Sequence, residues 1–108
     1  MEEISFEEFK KIDIRIGKII SCERVENTDK LLKLEIELGD TKKIAVAGIA
    51  NYYKKEELVG KKVAVVVNLK PAKFRGIVSE VMILAADANE DVSILIPDKD
   101  VPSGSKVR

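Results

Sequence analysis

The sequence predicts an all-β domain with two short helices. Apolar and charged residues alternate with a period of two around residues 12–16 and 32–38, the pattern of strands with one buried face. Further runs rich in Val and Ile recur at short intervals, separated by Gly, Asn, Asp and Pro, which punctuate strands with turns.

The elements follow in order. Ser5 with Glu8 three residues on forms a capping box, and a short helix after it puts Phe6 and Phe9 on one face. Those two rings are expected to anchor the helix onto the sheet. In the first strand, Ile12, Ile14 and Ile16 alternate with Asp13 and Arg15. After Gly17 the phase slips to Ile19 and Ile20, so a bulge or bend is expected at Gly17. Leu32, Leu34, Ile36 and Leu38 alternate with Lys33, Glu35 and Glu37, giving a second strand with a wet outer face. Gly39-Asp40 starts a tight hairpin, and residues 43–47 return. Residues 51–58 read as a helix with Asn51 as N-cap and Gly60 beyond its end. Residues 63–67 form a β-branched strand buried on both faces, and residues 79–86 form a fifth. Three strands, a helix and two strands is the order of a five-stranded OB-fold barrel, which a long, bent first strand closes by serving both sides. One single domain, 1–108, is therefore expected, with the barrel at about 12–86. A C-terminal β extension, about 87–108, contains a surplus strand at 92–96 that Pro97 stops.

Composition narrows the chemistry. The chain has 108 residues and no histidine, so the commonest general base and metal ligand are missing. Its lone cysteine, Cys22, permits neither an internal disulfide nor a zinc site. No acid–base or nucleophile constellation can be assembled, so the expectation is a binding protein that needs no cofactor and is not an enzyme. The acidic start and lack of a long apolar run argue against a secretory signal and a membrane span, and with the single cysteine they point to the cytoplasm. Abundant Lys and Glu without Gln or Trp suit a thermophile. The 19 basic and 19 acidic residues cancel, but they are segregated. Residues 1–9 carry four Glu and no base, whereas Asn68 to Gly76 carry Lys70, Lys73 and Arg75 and no acid. Local field, rather than net charge, governs contact with a polyanion.

The segment Asn68-Leu69-Lys70-Pro71-Ala72-Lys73-Phe74-Arg75-Gly76 reads as a loop that aims its bases at successive phosphates, or as a merely solvated basic loop. In OB folds the corresponding loop is one of two that hold nucleic acid. The segments Asn27-Thr28-Asp29-Lys30-Leu31, Val46-Ala47-Gly48-Ile49-Ala50-Asn51-Tyr52-Tyr53, the Asn-Leu-Lys-Pro loop and Ser79-Glu80-Val81-Met82-Ile83-Leu84-Ala85-Ala86 occur in order. Together they resemble the tRNA-binding domain of the methionyl-tRNA synthetase C-terminus or β subunit, also found in stand-alone structure-specific tRNA-binding proteins and the endothelial monocyte-activating polypeptide.

That resemblance implies shape-dependent, non-sequence-specific binding of the outer corner of tRNA. It implies a homodimer formed through the C-terminal extension, and a methionyl-tRNA synthetase catalytic subunit as partner in cis or in trans. The matching positions are Lys30, Asn68, Lys70, Lys73, Arg75, Ser79 and Met82. The four bases would pair with phosphates, and Asn68 and Ser79 would bond sugar or phosphate. Each polar position has a second reading: Asn68 can pin the loop base and Ser79 can cap a turn. Met82 can be core, at least one of Tyr52 and Tyr53 packs, and Cys22 is inert. The chain departs from the family in having Val25-Glu26-Asn27-Thr28 for His-Pro-Asn-Ala, Ala47 for Ser and Val81 for Gly, the last of which bears on how closely tRNA approaches. An export-related chaperone of the same fold, with a similar Asp-Ile-Arg start and Ser-Glu-Val segment, is the alternative; it would bind unfolded polypeptides through an apolar groove.

Overall fold

The computed structural model describes residues 1–108. In chain order the elements are α1 (Phe6–Phe9), β1 (Ile14–Arg24), β2 (Leu32–Glu37), β3 (Lys42–Ala47), α2 (Lys55–Leu58), β4 (Lys62–Val66), β5 (Ala72–Phe74), β6 (Ile77–Ser79), β7 (Met82–Ile83), β8 (Ala85–Asp87), β9 (Val92–Ile94) and β10 (Lys106–Val107). The main sheet runs β3-β2-β1-β4-β7, all antiparallel, so the five-stranded all-β barrel expected from the sequence is present.

The long first strand does divide its labour. Residues 18–24 of β1 pair with β2, whereas residues 14–18 pair with β4. The register shift lies between Ile19 and Ser21, not at Gly17, which stays in register opposite Val63. Gly17 has a different reason to be glycine: a Cβ there would collide with the Ile36 Cγ2 methyl and come within 3.0 Å of Leu38 Cδ2. The barrel wall approaches too closely at this point for any side chain.

Ladder hydrogen bonds do not complete the closure between β3 and the last barrel strand. Instead the backbone N–H groups of Glu80 and Val81 donate to Ile44 O at 2.8 and 3.3 Å. The N–H of Ile44 donates to Glu80 Oε1 at 3.0 Å, and that of Val46 to Ser79 Oγ at 3.0 Å. Side chains thus accept the N–H groups that β3 would otherwise leave orphaned at its edge.

The interior is aliphatic. Ile19, Leu34, Ile36, Leu58, Val63 and Val65 are wholly inaccessible. Leu58 comes from α2, which puts this one side chain into the core formed by the strands, a burial that contributes roughly 1.5–3 kcal/mol. The helix is shorter than expected. It begins at Lys55, and Asn51 lies in a preceding turn rather than at its cap; Glu57 Oε1 accepts from the Lys54 N–H at 2.7 Å. Gly60 follows it with φ +95°, and its N–H donates to Ile19 O at 2.7 Å, tying helix to barrel.

The capping box at Ser5 forms, with Ser5 Oγ accepting from the Glu8 N–H at 3.1 Å. The expected anchoring of its rings does not: Phe6 is 71% and Phe9 39% exposed. Lys10 Nζ lies 5.3 Å from the Phe6 ring centroid, so the ring meets a cation. In the C-terminal extension, β9 pairs with β8, and β10 returns to pair with Ile14 and Arg15 of β1. Asp13 secures that return. Its carboxylate accepts from Arg15 Nε at 2.8 Å and Lys106 Nζ at 3.4 Å, and Arg15 Nη1 reaches Gly104 O at 3.3 Å. The Arg15 guanidinium, with Lys106 adding to it, holds the Asp13 carboxyl below the usual carboxylate range.

Candidate nucleic-acid interface

The basic segment is not an irregular loop, as its sequence suggested, but a β-hairpin. β5 pairs with β6 through Ala72–Ser79, Lys73–Val78 and Phe74–Ile77. This leaves Arg75 and Gly76 as the two turn residues, with φ +52° and +83°. Positive φ at both central positions is the geometry of a type I′ turn, whose twist matches that of its strands. Such turns normally take Asn-Gly; here an arginine occupies the first position and so projects from the hairpin tip.

Asn68 fixes the base of this hairpin. Its Oδ1 accepts from the Asp13 N–H at 2.9 Å and its Nδ2 donates to Lys11 O at 2.6 Å. Both ends of the amide are engaged, so its second reading holds: it ties the start of the hairpin to the segment entering β1. Ser79 ends the hairpin. It is 9% exposed, and its hydroxyl accepts from Val46 and donates to Val81 O at 3.1 Å. It is a seam residue of the barrel and is not aimed at solvent. Lys70, Lys73 and Arg75 are all exposed, and none makes an ion pair within the chain.

The hairpin tip meets the loop between β1 and β2. A cleft of about 480 Å³ is lined by Arg75 and Ile77 from the hairpin and by Arg24, Asn27, Glu26 and Lys33 from the other side. That loop is itself ordered by hydrogen bonds: Thr28 Oγ1 to Val25 O at 2.7 Å and Arg24 Nη1 to Asp29 O at 3.0 Å. Lys30 belongs to the same loop and is exposed, its stem 4.0 Å from where a Gly48 Cβ would stand. Arg24 and Lys33 are further cations at this cleft, which Glu23 also lines. Lys33 stands opposite Glu23 in the ladder and its Nζ lies 3.7 Å from that carboxylate, so both read in the sequence as the wet faces of strands.

Met82 is 45% exposed on β7, not core. It borders a second, apolar cleft under the hairpin with Leu69, Phe74, Ala72 and Val46, with Lys70 at its edge. Val81, the departure from glycine, belongs to the core at 3% exposure and forms part of the floor of this cleft. Of the two tyrosines, Tyr53 packs against the core and its hydroxyl accepts from the Ile94 N–H at 3.1 Å, while Tyr52 is exposed. Burial raises the Cys22 thiol above its ordinary value, so it stays protonated and inert at neutral pH.

Residues 14–106 match the protein family described as "Putative tRNA binding domain". The chain is 53% identical over 109 residues to a methionine–tRNA ligase of Methanocaldococcus jannaschii, aligning over 100% of its own length and 17% of the ligase. It thus spans about one sixth of that curated relative. Among solved structures, a MetRS-related protein from Pyrococcus horikoshii superposes with a TM-score of 0.95 at 37% identity, covering 100% of both chains. The CsaA chaperone of Picrophilus torridus superposes with a TM-score of 0.91 at 38% identity, covering 98% of this chain and 100% of that one.

Proposed function

Since the chain belongs to the tRNA-binding domain family and is homologous to the tRNA-binding domain of methionyl-tRNA synthetase, we propose that it binds tRNA by shape and supplies affinity to that synthetase, in cis or in trans. The observation that carries this reading is the meeting of the β1–β2 loop and the β5–β6 hairpin at one cleft. These are the two connections with which OB folds hold oligonucleotides. Lys70, Lys73 and Arg75 on the hairpin and Lys30 on the loop act as phosphate contacts. Asn68 and Ser79 hold the hairpin in place rather than touching RNA. The contacts go mainly to the backbone, which carries no sequence information, so different tRNAs bind alike. The protein performs no chemistry of its own in this role and works in the cytoplasm beside the synthetase.

A homodimer belongs to the same proposal. Leu95 and Ile96 follow β9 and expose their side chains, and exposed apolar surface at the C-terminal extension favours a closed two-fold pair. Light scattering at micromolar concentration is expected to give twice the chain mass; a monomer would remove the dimer from the scheme.

The test is titration against tRNA and against an unstructured RNA of equal length at several salt concentrations. Tighter binding of tRNA is expected. Replacing Lys70, Lys73 and Arg75 by Ala is expected to lower the slope of log affinity against log salt by roughly two to three units, nearly one per phosphate lost. Equal affinity for the unstructured RNA, or an unchanged slope in the triple variant, overturns the reading. The likeness to CsaA supports one alternative, polypeptide binding. An apolar peptide site responds weakly to salt and to these substitutions.

A further inference from the structure

The apolar cleft under the hairpin is separate from the cleft at its tip. Strand pairing explains why it exists. In β5, Ala72 and Phe74 share one face and Lys73 takes the other. Ala72 pairs with buried Ser79 and Phe74 with half-buried Ile77, so this face is turned to the barrel and Lys73 to the outside. Between hairpin and barrel lies a cleft of about 180 Å³, which Val46 of β3 and Met82 of β7 close from the barrel side and Leu69 from the hairpin base. Leu69, Phe74 and Met82 are 47, 41 and 45% exposed, so the cleft offers an aromatic ring, an aliphatic side chain and a thioether to solvent. It is smaller than the several hundred Å³ of ordinary small-molecule pockets. Lys70 stands at its lip, with Lys73 and Arg75 further along the same hairpin.

We propose that this cleft receives one unstacked nucleobase of the bound tRNA, seated against Phe74 and Met82 while Lys70 pairs with that nucleotide's phosphate. The proposal rests on the tRNA reading above and adds to it a contact of a different kind. Phosphate pairing alone gives position. A base inserted beside it requires a nucleotide already out of the stack, and folded tRNA presents such nucleotides at fixed places whereas a continuous duplex does not. Charge complementarity selects this occupant. Glu80 also lines the hollow, but its carboxylate is engaged by the Ile44 N–H at 3.0 Å and Lys43 Nζ at 3.8 Å. An apolar hollow the size of one ring with the unpaired Lys70 at its lip therefore fits a base joined to a phosphate. The contact is read through its π face and not its edges, so it is tolerant of sequence.

Met82→Ala and Leu69→Ala, both at exposed positions, should weaken tRNA binding by about fivefold to a hundredfold, the range of a lost base–side-chain stack. Their salt slope should equal that of the unaltered chain, because stacking releases no counterions. The chain has no tryptophan, so Phe74→Trp places a single reporter in the cleft, and its emission should be quenched by tRNA. In a series of tRNAs with one unpaired nucleotide at a time made abasic, one member should bind more weakly and should show no further loss with Met82→Ala. Unchanged affinity in both alanine variants while the triple cation variant still loses its salt slope overturns the base pocket and leaves the tRNA reading standing. Loss of affinity for an apolar peptide, with tRNA affinity unchanged, overturns it in favour of a polypeptide site. No tRNA binding by the unaltered chain overturns both.

Discussion

Arg75 shows how a single residue can be placed against its own preference. Its φ of +52° lies in the left-handed region, which costs a non-glycine residue roughly 1–2 kcal/mol. Asparagine tolerates that conformation, so Arg75→Asn is expected to raise stability by about 1 kcal/mol while weakening tRNA binding; urea unfolding and titration together check this. A variant that loses binding without gaining stability would mean that the turn is unstrained. Ser79 behaves oppositely. Ser79→Ala leaves the Val46 N–H without its acceptor in a buried seam and should cost about 1–3 kcal/mol. The affinity of the folded fraction should fall little. Sequence alone left both Ser79 and Asn68 with two readings. A hydroxyl or amide beside a basic run looks the same whether it faces RNA or its own backbone, and only the partners 33 and 55 residues away decide. The exposure of Lys30, Lys70, Lys73 and Arg75 was legible because it follows from charge. Met82 was not, because strand alternation does not tell which side of a closing barrel a short strand shows.

β2 and α1 carry their own signals in the sequence, whereas elements that depend on distant partners do not, and the run 79–86, expected as one strand, is divided among the end of β6, β7 and β8. β2 could be recognised from four alternating apolar residues, and Ser5 and Glu8 announced α1. The β5–β6 hairpin escaped because its strands have three residues each and Arg-Gly is not a usual turn pair. β10 escaped because two residues, Lys106 and Val107, carry no period; they become a strand only because β1 offers an open edge at Ile14 and Arg15. Gly17 was marked as unusual for the right residue and the wrong reason. The bend was expected there, but the strand is regular and the glycine serves packing between β1 and β2. Gly17→Ala should therefore destabilise by about 1–3 kcal/mol, as overpacking does, since wholly buried Ile36 cannot swing aside. Ile36→Ala removes the Cγ2 methyl that the added Cβ would meet, so the double variant should lose less than the sum of the two single losses. Thermal unfolding of the single and double variants measures both, and additive losses would show that the two sites do not touch.

At the scale of the whole molecule, zero net charge conceals an ordered arrangement. The hairpin cations make no ion pair within the chain, while the pairs Lys62–Asp100 and Lys106–Asp13 hold the C-terminal segment to the barrel. Two carboxylates do the latter. Asp100 bonds Lys62 Nζ at 2.7 Å, but its side chain is 89% exposed, and ion pairs in water contribute little. Asp13 is only 30% exposed and accepts from both Arg15 and Lys106, which joins residue 13 to residue 106. Its carboxyl titrates lower in the folded than in the unfolded chain. The folded state therefore favours the ionised form, and the resulting stability is fully present above the ordinary Asp value of about 3.9. It is lost as the pH falls through the lowered folded value, when the unfolded chain binds the proton more readily. Asp13→Asn should consequently be less stable than the unaltered chain at pH 7, with the difference shrinking as the pH falls below about 4. Urea midpoints measured from pH 7 down to pH 2 give this directly, and a difference independent of pH would assign the loss to packing instead. The same variant should spare tRNA binding at neutral pH, because Asn68 holds the hairpin through the backbone N–H of residue 13, not through its carboxylate. A loss of affinity equal to that of the triple cation variant would mean that the tail strand, and not only the hairpin, is part of the RNA surface.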